Sequence, residues 1–199
     1  MTKNIFLLLA TTFSFLSSSG QSIGQIEKEC RISSGLGIAG ATKNTTSVGP
    51  DYWLQLEYNF LKNVSIATEF ENMSYKQPGY YENLPVKPNE IKRVNNNFSL
   101  LLKYLFPTKS KMKFTIASGW TYSVLTSDYY ILETGIENGG TYLSYFRNIS
   151  GFSDYRIPFL VEIQYPFSKN LNVEARIKYN LNPQNGNTYA AGLGLSLKL

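Results

Sequence analysis

The stretch LNVEARIKY at residues 171–179 alternates without a break. Leu171, Val173, Ala175, Ile177 and Tyr179 share one parity, and Asn172, Glu174, Arg176 and Lys178 share the other. A helix would wind these residues around its axis, whereas a strand sends successive side chains to opposite faces. The stretch therefore predicts a strand with one apolar face and one ionic face. Seven further stretches repeat the pattern, at residues 30–40, 53–60, 64–75, 93–104, 113–124, 155–167 and 189–199. In none of the eight does the apolar parity hold Asp, Glu, Lys or Arg. The reading is an all-β chain of eight antiparallel strands with two unlike faces.

Alternation does not say which face meets what. A soluble ligand-binding barrel of lipocalin type turns its apolar side inward, whereas a barrel in lipid turns it outward and encloses its polar side. Three features favour lipid. Phe60, Tyr104, Phe114, Tyr165 and Phe167 fall at strand ends on one rim. Tyr75, Tyr122, Tyr155, Tyr179 and Tyr189 fall near the other, Tyr75 on the opposite parity from the rest. Two aromatic girdles suit the two bilayer interfaces. The polar parity also carries small residues, Gly35, Gly37, Ala67, Ala117, Gly119, Gly192 and Gly194, which suit the inside of a narrow barrel. Finally, connections of a few residues (61–63, 107–111, 168–170) alternate with longer ones (41–52, 76–92, 125–154, 180–188). Short periplasmic turns and long outer loops are the pattern of outer-membrane barrels. The predicted fold is an eight-stranded antiparallel up-and-down transmembrane β-barrel in the bacterial outer membrane. Residues 125–154 read as strands five and six continuing above the membrane; an additional hairpin around Asn138-Gly139-Gly140, giving ten strands, is the alternative. Pro158 cannot donate to a ladder and predicts a bulge near the outer rim.

The chain's start fits export. Lys3 precedes an apolar run at residues 5–16, and Ser18-Ser19-Gly20 supplies a small-residue cleavage site. The run is too short to span a bilayer as a helix. Residues 1–20 are therefore expected to be a signal peptide, with the barrel over 21–199. Mean hydropathy of −0.20 fits no helical membrane protein. The 15 Tyr and 12 Phe favour strands. The net charge of +5 is spread among acids, and an exported chain rarely meets nucleic acid. Cys30 has no internal partner and reads as an apolar residue at the foot of the first strand.

The mature chain resembles the small outer-membrane β-barrel family of the OmpA-barrel and OmpX type, a porin-type architecture of Gram-negative bacteria. The segment GLGLSLKL at residues 192–199 carries the likeness to the family's C-terminal assembly signal through Gly194, Leu197 and Leu199, with Leu199 where an aromatic usually stands. Residues 156–170, RIPFLVEIQYPFSKN, resemble a late strand and turn of the family. The resemblance implies outer-membrane lipid and lipopolysaccharide as surroundings, and the barrel-assembly machinery as a partner during insertion.

Chemistry is sparse. There is no histidine, so a serine has no imidazole base and hydrolases of this architecture are disfavoured. No cofactor loop and no metal-ligand spacing is present. Glu69 and Glu71 share a face and could form an acid–base pair, but an internal ion-pair network fits better. The predicted lumen acids are Glu57, Glu69, Glu71, Glu162 and Glu174. The predicted bases are Arg31, Arg93, Lys103, Arg156, Arg176, Lys178 and Lys198. An eight-stranded barrel is just wide enough for side chains to fill, and enclosed charges must be paired. The expectation is a plugged, non-enzymatic barrel with a structural or surface-interaction role; a narrow pore or carrier for small solutes is the alternative. A surface ligand would meet the loops at 76–92, with Tyr80, Tyr81, Lys87 and Lys92, or at 125–154, with Tyr129, Tyr130, Tyr142, Tyr145 and Phe146.

Overall fold

The computed structural model describes residues 29–42, 47–78, 90–137, 140–182 and 186–199. The expected signal peptide lies outside them, as do Tyr80, Tyr81 and Lys87. Eight strands follow in order: β1 Glu29–Ala41, β2 Gly49–Leu61, β3 Val64–Pro78, β4 Glu90–Phe106, β5 Lys113–Glu137, β6 Gly140–Pro166, β7 Leu171–Leu181 and β8 Thr188–Lys198. Each pairs antiparallel with its chain neighbour, and β1 also pairs with β8, from Arg31↔Lys198 to Ala41↔Thr188. The sheet is a closed ring of eight. Closure matters because a backbone N–H or C=O left open in hydrocarbon costs several kcal/mol. At the seam Leu199 N donates to Cys30 O at 2.9 Å.

Side-chain direction decides the environment. Leu54, Phe98, Ile163 and Leu195 are 50%, 52%, 44% and 52% exposed, while Glu57 and Arg176 are 5% and 3% exposed. The apolar parity faces out on every strand and the ionic parity is enclosed. A soluble lipocalin-type barrel needs the reverse, so that alternative fails. Trp120 and Tyr155, with ring centroids 5.9 Å apart, and Tyr122 and Tyr155, 5.5 Å apart, cluster on the outer wall at and just above the level of Leu100. Tyr104, Phe106 and Phe114, successive centroids 5.1 and 5.2 Å apart, mark the lower aromatic level.

Turn chemistry sets the short end. The β2–β3 turn at Lys62-Asn63 follows a register shift between Asn59 and Leu61. In the β4–β5 connection Thr108 Oγ1 donates to Met112 O at 2.7 Å, and Met112 N donates to Ser110 Oγ at 3.1 Å. Between β6 and β7, Ser168 Oγ receives Leu171 N at 3.2 Å. Both ends of the described barrel, Glu29 and Lys198, lie on this side.

One expectation holds and another changes. The described residues of 125–154 are all strand, so strands five and six do continue above the ring. The β5–β6 ladder continues to Glu137↔Gly140, whereas β4 leaves β5 at Lys92↔Asp128 and β7 leaves β6 at Ile157↔Leu181. The hairpin thus rises above the ring as an extension of two existing strands, not as a ninth and tenth. Pro158 makes no bulge. The β5–β6 pairing lapses opposite it but resumes in the same register, from Ser118↔Phe159 to Thr121↔Arg156. The proline lies opposite Gly119, where any Cβ would collide with Leu100 O, and it is buried inside the barrel. A missing donor is absorbed there without inserting a residue.

A charge on the outer wall tests the orientation. Leu100→Arg, near mid-membrane, should destabilise the barrel by about 2–4 kcal/mol, and Tyr165→Arg at the lower rim by about 0–1 kcal/mol. Denaturant titration of protein folded into lipid vesicles measures both.

Candidate functional site in the barrel lumen

The enclosed face of the sheet is built from the ionic parity, and it is packed. Lys178, Glu71 and Asn97 are 0% exposed and Lys103, Glu162 and Asp51 are 1% exposed. A side chain in a barrel can reach zero exposure only if no water-sized space adjoins it from the lumen side either. The lumen at these levels is therefore filled by side chains.

Two ionic clusters form the filling. In the upper one, β3 and β7 face each other across the lumen. Arg176 Nη1 donates to Glu69 Oε2 at 2.5 Å and Nη2 to Glu71 Oε1 at 2.8 Å. Lys178 Nζ donates to Glu69 Oε1 at 2.5 Å and Glu71 Oε2 at 2.8 Å. Two carboxylates are thus bridged twice by two cations, a charge-assisted arrangement with both oxygens of each acid engaged. Asn97 Nδ2 adds a bond to Glu71 Oε2 at 3.0 Å, and Gln55 Nε2 one to Glu69 Oε2 at 3.1 Å. In the lower cluster Lys103 bridges Glu57, at 2.6 Å, and Glu162. Lys103 also donates to Gln55 Oε1 at 2.8 Å, and Ser65 Oγ donates to Glu57 Oε1 at 2.8 Å.

Trp53 joins the clusters. Its Nε1 donates to Glu174 Oε1 at 3.3 Å, and the Arg176 guanidinium lies 3.8 Å from its ring centroid. Its other side rests on Gly35, Gly192 and Gly194. A Cβ at these positions would stand 2.1, 2.6 and 2.8 Å from indole carbons. The small residues of β1 and β8 are what make room for an indole inside so narrow a ring.

The ends differ from the centre. At the lower end Arg31 Nε meets Glu29 Oε1 at 2.5 Å, Lys198 meets Glu29 Oε2 at 3.0 Å, and half-buried Lys113 is on the same face. At the upper end Arg156 Nε meets Asp154 Oδ1 at 2.9 Å, and Arg93 faces in near Tyr75. Among the described residues the centre formally holds six carboxylates, Asp51 included, against Lys103, Arg176 and Lys178. The positive surplus sits at the two ends.

The structure brings Glu57, Glu69, Glu71, Lys103, Glu162, Arg176 and Lys178 into direct ion pairs. It leaves Glu174 on Trp53 and Gln164, and Arg31, Arg93, Arg156 and Lys198 at the ends, away from those pairs. Sequence reading missed Asp51, which lies 3.9 Å from Arg176 Nη2, and Glu29 and Asp154. The parity of Trp53, Gln55 and Glu57 continues back to Asp51, but Gly49-Pro50 reads as the end of a loop. Tyr75 is a correction. It belongs to no girdle and is buried in the lumen, where Asn95 Nδ2 donates to its hydroxyl at 3.4 Å. Its odd position on β3 points inward, and β3 keeps its pairing to Pro78.

No family model and no curated protein matches the sequence. Solved structures match the fold. Neisserial surface protein A superposes with TM-score 0.58 at 14% identity, over 86% of this chain and 97% of that one. OprG, an outer-membrane protein of Pseudomonas aeruginosa, gives 0.56 at 12% identity, over 90% and 99%. The attachment invasion locus protein Ail of Yersinia pestis, in complex with the heparin analogue sucrose octasulfate, gives 0.55 at 12% identity, over 87% and 99%. The fold is that of the eight-stranded outer-membrane β-barrels.

Breaking one buried pair leaves charges stranded. Lys103→Met should cost about 3–5 kcal/mol because Glu57 and Glu162 lose their shared cation. The triple variant Lys103→Met, Glu57→Gln, Glu162→Gln should recover most of that loss. Unfolding from vesicles in denaturant distinguishes the two.

Proposed function

We propose that this protein is an exported, non-enzymatic outer-membrane barrel whose lumen is sealed by its own ion pairs and whose outward role is carried by the β5–β6 hairpin. The observation that carries the reading is the filled lumen, with Lys178, Glu71 and Asn97 wholly enclosed at its centre. The charge profile adds to it. A cation entering from either end meets the positive surplus first, and an anion that passes an end meets the acidic centre. Glu69 and Glu71, the one acid pair of interest for catalysis, have all four oxygens held by Arg176 and Lys178. That arrangement suits a structural strut, since a general acid or base must reach the proton it transfers.

The hairpin supports the surface role. Above the level of Tyr122 and Tyr155 each strand continues for some 15 residues, about 50 Å of extended chain. Phe146, Ile149 and Phe152 are exposed on its described part. Ail, a barrel of this fold, has been solved in complex with the heparin analogue sucrose octasulfate, which supports a ligand-binding role. A signal peptide at residues 1–20 would deliver the chain to the periplasm, and the C-terminal strand would be read by the assembly machinery.

Single-channel recording on the purified protein in planar bilayers should show no steady conductance; a reproducible open level would defeat the sealed-lumen reading. An epitope inserted between Asn138 and Gly139 should be labelled on intact cells. Labelling only after permeabilisation would place the hairpin on the wrong side.

A further inference from the structure

The outer wall carries a hole and a knob side by side. Four outward residues stand in one register line across neighbouring strands: Leu56 on β2, Thr68 on β3, Leu100 on β4 and Trp120 on β5. Thr68 is short where both its neighbours are leucine, and a hollow of about 520 Å³ opens over it. Two strands further on, Trp120 and Tyr155 are 66% and 67% exposed, and their ring centroids are 5.9 Å apart, so together they form a ridge. Strands lie about 4.8 Å apart, which sets hole and ridge about 10 Å from each other along the wall. The lining of the hollow climbs to Phe98 and Tyr122, which pair in register just above Leu100 and Trp120. The hollow therefore reaches the level of Trp120 despite the tilt of the strands.

Both features lie in hydrocarbon, and each leaves a polar group there. Trp120 pairs in register with Leu100, near mid-membrane, away from the interface where a tryptophan N–H ordinarily finds an acceptor. Among the described residues no group accepts from the Trp120 indole N–H, and none pairs with the Thr68 hydroxyl. Hydrocarbon offers neither a partner. Between protein surfaces in lipid there is no hydrophobic drive, so association rests on close packing and on hydrogen bonds that lipid cannot supply.

We propose that this wall is the interface of a parallel homodimer, in which the Trp120–Tyr155 ridge of each copy seats in the hollow over Thr68 of the other and the Trp120 N–H donates to the Thr68 hydroxyl. Copies in one membrane share an orientation, so a two-fold axis between them runs along the bilayer normal and needs hole and knob on one patch at one height. An axis passing by Leu100 meets that need, because Thr68 and Trp120 flank it on the neighbouring strands. The eight large apolar side chains lining the hollow and its ridge are 40–67% exposed. At about 150–250 Å² each they present roughly 800 Å², the share one copy contributes to a stable interface of standard size. The inference rests on the bilayer orientation of the wall.

Energy transfer between donor- and acceptor-labelled copies in lipid vesicles tests it, with the dyes carried on Cys30, the chain's single cysteine, which is exposed. Transfer should exceed the random-encounter level and fall along a monomer–dimer curve as lipid is added. Trp120→Ala removes two knobs per dimer and should weaken association about a hundredfold or more. Thr68→Phe, which fills the hollow, should act in the same direction. Thr68→Val keeps the shape and removes the hydroxyl, and should cost about threefold for each of the two bonds lost. Leu195→Ala, on the far wall, should leave association unchanged. Transfer no greater than random encounter at every dilution would overturn the dimer. A dimer indifferent to Trp120→Ala and Thr68→Phe would overturn this face. Each variant is compared only when its unboiled and boiled forms migrate differently on a gel, as a folded barrel's do. A wild-type protein whose two forms migrated alike would sink the bilayer orientation instead, so the two failures are distinguishable.

Discussion

The pairing of β1 with β8 is the contact on which every other feature depends. Without it the sheet would present two rows of open amides and carbonyls to hydrocarbon, and no side-chain arrangement could offset them. With it, the eleven pairs from Arg31↔Lys198 to Ala41↔Thr188 leave the described barrel wall no edge below its upper rim. Closure also fixes the inner radius. Eight strands enclose only enough space for side chains, so whatever the inward parity carries must pack against itself. The glycines of β1 and β8 follow from that radius, because the Trp53 indole needs the volume that three Cβ atoms would take.

The same closure turns an ordinary liability into structure. Charges removed from water cost several kcal/mol each unless matched. Here the matching is made across the lumen, between β3 and β7, instead of between adjacent strands. Glu69 and Glu71 reach Arg176 and Lys178 over a sequence separation of more than a hundred residues. Such contacts resist deformation of the ring's cross-section, since drawing β3 and β7 apart would break four charge-assisted bonds together. The clusters act as cross-braces of the barrel as well as its filling. The apolar set Ala67, Leu101, Ala117 and Leu160 shows that the lumen is not wholly ionic.

What the sequence made legible is what depends on parity, and what it hid depends on geometry beyond one strand. The period of two placed Arg176 and Lys178 on one face and Ile177 on the other, because every residue obeys the pleat. It could not pair them with Glu69 and Glu71, because partners across a lumen are set by tilt and shear. Asp51 was hidden by the Gly49-Pro50 pair before it, which looks like a turn yet lies within β2. Tyr75 was drawn toward a girdle by its chemistry although its parity said otherwise, and parity won. Pro158 suggested a bulge because it lacks a donor, but a gap in the ladder opposite Gly119 serves equally well and keeps the register.

The hairpin raises a separate question of stability, since a lone two-stranded ribbon is marginal in water. Its register is unbroken from Thr121↔Arg156 to Glu137↔Gly140, so the ring below holds both strands in phase and the ribbon starts already nucleated. Cross-strand bonds then tie its lower part. Arg147 grips Asp128 with two parallel bonds, and Asn148 Nδ2 donates to the Tyr129 hydroxyl at 2.9 Å. These ties sit on opposite faces of the ribbon, which limits twisting in either sense. The Asp128–Arg147 tie lies at the same level as Lys92, which pairs in register with Asp128. The foot of the hairpin is therefore tied electrostatically to β4 of the ring as well as to its own partner strand.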